Sequence, residues 1–198
     1  MVTVRQIEKA WKSEAWAQLV REMLAGRPEA SLRLESALTG SVAAAALVLI
    51  RLDELSQPHA PLYGKLVRAI IAAQDADGGW KDPLLTALCL RALMAGRGEG
   101  ESINRGLKYL AQMQKSDGIW PAQPIKRLAA DPFVSAFVLL MLGGEQRFQD
   151  AVRFAEAVDW FGANAVSLDG EAHRLWDHAR VRCRVRRIAE RQQVMSWS

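Results

Sequence analysis

Gln74-Asp75-Ala76-Asp77-Gly78-Gly79-Trp80 and Gln114-Lys115-Ser116-Asp117-Gly118-Ile119-Trp120 share the pattern Gln-x-x-Asp-Gly-x-Trp. Each copy sits between two stretches of helical periodicity. Residues 62–74 and 103–114 lead into the turns. Asp82-Pro83 and Asp131-Pro132 open the helices that follow, which run to about Met94 and Leu142. Aspartate suits an N-cap because its carboxylate accepts from free backbone N–H groups, and proline suits the first helical position, where its missing N–H costs nothing. Gly96, Gly98 and Gly100 stop the first of these helices and Gly143-Gly144 the second.

The spacing indicates a duplicated unit. Gln74 to Gln114, Asp77 to Asp117 and Trp80 to Trp120 are each 40 residues apart. Asp82 to Asp131 is 49, so the second connection carries nine extra residues. Thr86 and Ser135 stand at the same place, four residues after the aspartate, and Thr39 lies 47 residues before Thr86, as in a degenerate earlier copy.

Further out, Ile7, Trp11, Ala15, Leu19 and Met23 predict an amphipathic helix over 3–25. Residues 29–55 predict a second, apolar on every side from Ala43 to Ile50 and therefore buried. Phe148 to Trp160 reads as another outer helix, with 169–191 as its partner. The expectation is an all-α single repeat domain over 1–198, with about four helical hairpins at a period of 40–49 residues and a basic C-terminal segment at 171–198. In each hairpin a charged helix (Lys65, Arg68; Arg105, Lys108) faces water and a more apolar one faces inward.

Composition excludes several classes. Half the 198 residues are hydrophobic and 24% are charged, as in ordinary globular chains. The longest apolar run, Val42 to Ile50, is too short to span a bilayer. The charged N-terminus (Arg5, Glu8, Lys9) lacks a signal-peptide core, and Cys89 and Cys183 read as reduced thiols, so the expected location is cytoplasmic. The net charge of +4 is concentrated at one end: residues 171–198 hold seven Arg, no Lys and three acids. Arg180, Arg182, Arg184, Arg186 and Arg187 make this segment the candidate binding surface, for a protein docking partner or for nucleic-acid phosphates. No recognised nucleic-acid motif accompanies them.

At its two turns the chain resembles the QW repeat of squalene and oxidosqualene cyclases and, more loosely, the β-subunits of protein prenyltransferases. The resemblance rests on Gly106-Leu107-Lys108-Tyr109-Leu110, Gln114 and Asp117-Gly118-Ile119-Trp120, and on Leu66, Ala69, Ile70, Gln74 and Asp77-Gly78-Gly79-Trp80. It covers residues 62–142 best. It implies that Gln74, Asp77, Gly79, Trp80, Gln114, Asp117, Gly118 and Trp120 are structural: Gln ties the turn to a neighbouring helix start and Trp packs on it. It also implies an α/α toroid, here an incomplete barrel or a ring closed by self-association, because a six-hairpin barrel needs more than 198 residues.

The cyclases protonate substrate with an aspartate of an Asp-x-Asp-Asp-Thr-Ala motif. The corresponding frames here are Asp82-Pro83-Leu84-Leu85-Thr86-Ala87 and Asp131-Pro132-Phe133-Val134-Ser135-Ala136, with apolar residues in place of the acid. Asp82 and Asp131 read as helix caps. A prenyltransferase zinc site is not matched either, since Cys89 has no aspartate two residues before it. The cluster His173, Asp177, His178, Cys183 has no known zinc spacing. No Gly-rich phosphate loop or Gly-x-Ser-x-Gly elbow occurs. The expectation is a non-catalytic binding or scaffold protein without metal or cofactor, acting through its concave face or its basic C-terminus on another protein or on itself. The alternatives are an isoprenoid- or lipid-binding protein or cyclase-like enzyme, and a nucleic-acid-associated subunit using Arg180–Arg187.

Overall fold

The computed structural model describes residues 42–54, 60–96, 100–125 and 127–195, with side chains from Leu62 in the second helix and to Cys183 in the last. The helices expected over 3–25 and the first part of 29–55, together with Thr39, lie outside the described residues. Within them the chain is all-α. The elements are α1 (Val42–Glu54), α2 (Ala60–Ala72), α3 (Pro83–Ala95), α4 (Gly100–Met113), α5 (Pro132–Leu142), α6 (Gln146–Ala151), α7 (Phe154–Asn164), a 3-10 turn (Ala165–Ser167) and α8 (Gly170–Met195). No described helix is long and apolar enough to cross a membrane.

The chain forms two compact units, one of residues up to Ala73 with Ala92–Gly98, the other of Gln74–Arg91 with the residues from Glu99 onward. In the first, α1 buries Ala43, Ala45, Ala46, Val48, Leu49, Ile50 and Leu52, as its apolar circumference requires. Leu66 and Ile70, one helical turn apart on α2, are buried beside it. The Tyr63 hydroxyl donates to the Ala95 carbonyl (2.9 Å), satisfying one of the orphan acceptors at the end of α3.

In the second unit α4 is strongly two-faced. Ile103, Gly106, Leu107, Leu110 and Met113 point inward, while Asn104, Arg105, Lys108 and Gln112 are exposed. The partner helices are largely apolar, with Thr86 and Ser135 the polar residues of their buried stretches: α3 is buried from Leu84 to Leu90 and α5 from Val134 to Leu139. Gly106 lets α4 close onto this layer. A Cβ there would stand 2.8 Å from a Leu90 methyl and 3.0 Å from the Trp80 ring.

The outer helix expected over Phe148–Trp160 is two helices. Val152 is extended (φ −120°, ψ 167°) and Arg153 is non-helical (φ −76°, ψ 73°). The Gln114 side chain accepts from the Arg153 N–H, which therefore does not continue the α6 ladder, and donates to the Arg153 C=O, which also accepts from Ala157 N (3.3 Å) to open α7. The short α6 turns Phe148 under the second repeat, where its ring lies 6.1 Å from Trp120 and edge-on to Phe154 at 6.3 Å.

The nine extra residues of the second connection form a loop closed at its base. Asp82 N donates to Trp80 O (2.8 Å) across a single residue, Lys81, at φ 64°. Asp131 N donates to Trp120 O at the same 2.8 Å across residues 121–130, beside an antiparallel bridge between Pro121 and Ala130. The insertion leaves the Trp-to-cap geometry intact and extends outward, with Ile125 and Leu128 exposed.

Gly78 (φ 93°) and Gly118 (φ 88°) are the left-handed residues of the two turns. A Cβ would stand 2.7 Å from the Arg105 carbonyl oxygen in the first and 2.5 Å from the Ala157 amide nitrogen in the second. Gly78→Ala and Gly118→Ala should therefore each cost about 2–4 kcal/mol in urea unfolding, combining φ strain with a backbone clash. Gly144→Ala, with open space around it, should stay within about 0.5 kcal/mol. Equal effects at all three positions would contradict this.

Candidate functional site

The two signature turns are built alike. Gly78 N donates to Asp75 O and Asp75 N to Gly79 O in the first; Gly118 N donates to Lys115 O and Lys115 N to Ile119 O in the second. Asp77 accepts from Gly79 N at 2.9 Å, a bond that fixes the loop at its own aspartate. The corresponding Ile119 N to Asp117 contact is long, 3.5 Å.

Gln74 Nε2 donates to Gly78 O (2.7 Å) and to Ser102 O at the start of α4 (2.9 Å). Gln114 Nε2 does the same to Gly118 O (2.7 Å) and to Arg153 O, before α7 (2.9 Å). Gln114 Oε1 also accepts from Arg153 N at 2.8 Å. The Gln74 Oε1 atom is buried with no partner among the described residues. A second contact backs each clasp. Arg105 donates to Asp75 O (2.9 Å), and Arg153 to Gln114 O (3.1 Å) and Lys115 O. The guanidinium thereby covers carbonyls that the ending outer helix leaves open.

The tryptophans lock the turns onto the inner helices. Trp80 N donates to Thr86 Oγ1 (2.9 Å) and Trp120 N to Ser135 Oγ (2.8 Å). Ser135 Oγ in turn donates to Asp131 O (2.7 Å). Both indoles are fully buried, and Trp120 Nε1 donates to Leu110 O at 2.8 Å. Asp82 and Asp131 cap the inner helices, accepting from Leu85 N (2.8 Å) and Val134 N (3.1 Å).

Sequence reasoning named Gly79 in the first turn, whereas the left-handed residue is Gly78. Gly79 has a different constraint: the Tyr109 ring lies 2.7 Å from where its Cβ would be. The 40-residue offset, which pairs Gly78 with Gly118, was the signal that identifies it. Asp75, Arg105 and Arg153 were also missed, as was a third cap. Asp169 accepts from Ala172 N (2.8 Å) and Glu171 N (2.9 Å), and His173 N donates to Asp169 O. His173 thus occupies the place of Thr86 and Ser135, and its ring Nδ1 lies 3.1 Å from Ala165 O.

The candidate zinc cluster is not brought together. His173 Nε2 is 3.5 Å from Asp177, which also pairs with Arg180 at 3.1 Å. His178 is exposed, while Cys183 is buried at the end of α5, where its Sγ lies 2.6 Å from the place a Gly143 Cβ would take. Among the described residues no group of three His, Cys, Asp or Glu could hold a metal ion. Of the five arginines singled out, Arg180 has the Asp177 partner and Arg182 donates to Leu140 O at 3.0 Å. The side chains of Arg184, Arg186 and Arg187 lie outside the described residues.

Burial pushes the Asp82 carboxyl up, against the bonds from Leu85 and Leu84 N–H. Burial also pushes the Cys89 thiol well up, with the Asp82 charge adding to it. The Tyr109 hydroxyl is raised above its ordinary range, by burial and then by Asp77, Asp82 and Asp75.

Comparison of the chain with family models, with curated proteins and with solved structures returned no match.

Gln114→Ala removes a buried donor pair and an acceptor at once and should cost about 2–4 kcal/mol in urea unfolding. Gln74→Ala, whose oxygen bonds to nothing described, should cost about 1 kcal/mol less. A larger loss at Gln74 would reverse the assignment of the tighter clasp. Asp82 supplies a pH signature. Its folded carboxyl titrates above the unfolded value, so its contribution to stability is fully present below the unfolded pKa of 3.8 and lost as pH rises through the folded one. Relative to Asp82→Asn, the native chain should gain stability as pH falls from neutral toward about 4. A gap that widens in the other direction would show a cap dominated by the ionised form.

Proposed function

We propose that this chain is a non-catalytic binding or scaffold module, built on helical repeats of the QW type in a toroid-like array. Its protein partner docks through the basic helix α8. The observation that supports this reading is how the polar groups at the inner-helix starts are used. The Asp82 and Asp131 carboxylates are engaged by Leu85 N and Val134 N, and the Thr86 and Ser135 hydroxyls by the amides of Trp80 and Trp120. Leu84, Leu85 and Val134 are buried between them. These groups hold backbone in place, and the chemistry of alkene protonation needs a carboxylic acid aimed at an apolar substrate.

Isolation of the tagged chain at native salt should recover a protein in stoichiometric amount. Incubation with squalene and polyprenyl diphosphates, read by mass spectrometry, should return them unchanged. Appearance of a cyclised or transferred product would overturn the reading.

A further inference from the structure

The first repeat joins its tryptophan to its helix cap through Lys81 alone, so the fold does not require the longer connection of the second. That loop is fixed at its base by the Asp131 N to Trp120 O bond and by the bridge between Pro121 and Ala130. Beyond the base its hydrogen bonds are its own: Ile125 N donates to Gln123 O (2.7 Å) and Leu128 N to Ile125 O (3.0 Å). Among the described residues no hydrogen bond ties 122–129 to another element. Ile125, Arg127 and Leu128 are all exposed, the two apolar residues at 39% and 38%. Every other arginine in the described residues stands in a helix or, at Arg153, in the glutamine clasp.

An endoprotease binds its substrate as an extended strand, with the side chain before the cut bond in one pocket and its neighbours in adjoining ones. A helical arginine enters such a cleft only after its ladder opens, whereas Arg127 needs only the loop's own bonds to open. Ile125 and Leu128, apolar and exposed on either side of it, suit the adjoining pockets. We propose that the 121–130 loop is a processing site, cut between Arg127 and Leu128 by a trypsin-like endoprotease whose acidic pocket takes the arginine. Water adds across the bond, its hydroxyl to the Arg127 carbonyl carbon and its proton to the Leu128 nitrogen. The new acid then passes its proton to the new amine, leaving a carboxylate and an ammonium. The two pieces stay together, because the contacts of Gln114 and Trp120 span the cut. Gln114 holds Arg153 by its amide and its carbonyl. Trp120 N bonds to Ser135 Oγ, Trp120 O to Asp131 N, and the indole packs beside Phe148.

The test is brief digestion of the full native chain with an arginine-specific endoprotease, the new N-termini being read by mass spectrometry. Leu128 should appear as an N-terminus at least about tenfold faster than the residue after any other described arginine. Arg127→Gln, at an exposed position, should abolish that product and leave cutting elsewhere unchanged. The nicked protein should elute from gel filtration at the volume of the intact chain and part into its fragments only in urea. Its unfolding midpoint should rise with protein concentration, because refolding has become bimolecular. Cutting at helical arginines as fast as at Arg127, a resistant Arg127–Leu128 bond, or separation of the pieces without urea would overturn the inference. A protease complex that persists with the bond intact would overturn it too, and make the loop a docking site instead. The scaffold reading is tested on the uncut chain, so the two stand or fall separately.

Discussion

The Gln114 side chain makes three hydrogen bonds, and the second unit depends on them. Its amide donates to the turn it closes and to the residue before the next outer helix, and its carbonyl accepts that residue's N–H. A helix that ends leaves carbonyls without partners, and one that begins leaves N–H groups without partners. A primary amide offers two donors and an acceptor on one arm, where a hydroxyl offers a single donor, and glutamine has one methylene more reach than asparagine. Glutamate lacks the donor, so it would bury a charge beside two carbonyls. The left-handed glycine at 118 brings the turn's backbone against residues 156 and 157, close enough for the amide to reach both sides.

The clasp and the cap are separate devices, as the last hairpin shows. Asp169 caps α8 as Asp82 and Asp131 cap α3 and α5. Yet the position twelve residues after Arg153, where Gln114 stands relative to Ser102, is Ala165. No Gln-x-x-Asp-Gly-x-Trp follows it. The Ala165 carbonyl meets the His173 ring, and Val166 beside it is fully exposed. This turn has the means to start an inner helix and lacks the side chain that binds a further outer one. The same economy explains the tolerated insertion at 121–130: its ends meet at the Trp120–Asp131 hydrogen bond, so nothing in the clasp feels its length.

Much of this was legible in the sequence because the chemistry is local. The positions of α3 and α5 follow from Asp-Pro and from apolar runs that end at glycine, and the boundary Pro132–Leu142 agrees to the residue. The all-α class follows from periodicity. The break at Val152-Arg153 was not legible, because Phe148 to Trp160 carries neither proline nor an interior glycine before residue 162. That helix is interrupted by a side chain 39 residues earlier in the chain, which takes the Arg153 N–H out of the α6 ladder and shares its C=O with the first amide bond of α7. Gly79 and Gly78 were confusable because adjacent glycines give the same composition, and only one has a positive φ. The partners of Arg180 and Arg182 were hidden for a related reason. Charge counts describe a segment, whereas Asp177 is one helical turn away and Leu140 is on another helix.

The Arg153 amide is the place to test the central claim, because its acceptor is a glutamine side chain from the preceding turn. Native-state hydrogen exchange followed by nuclear magnetic resonance measures that one N–H directly. The clasp predicts protection comparable to that of the buried Trp120 amide, and its loss in Gln114→Ala while the Ser135 amide, bonded within its own cap, stays protected. Exchange of the Arg153 amide at the rate of a free peptide in the native chain would contradict the account.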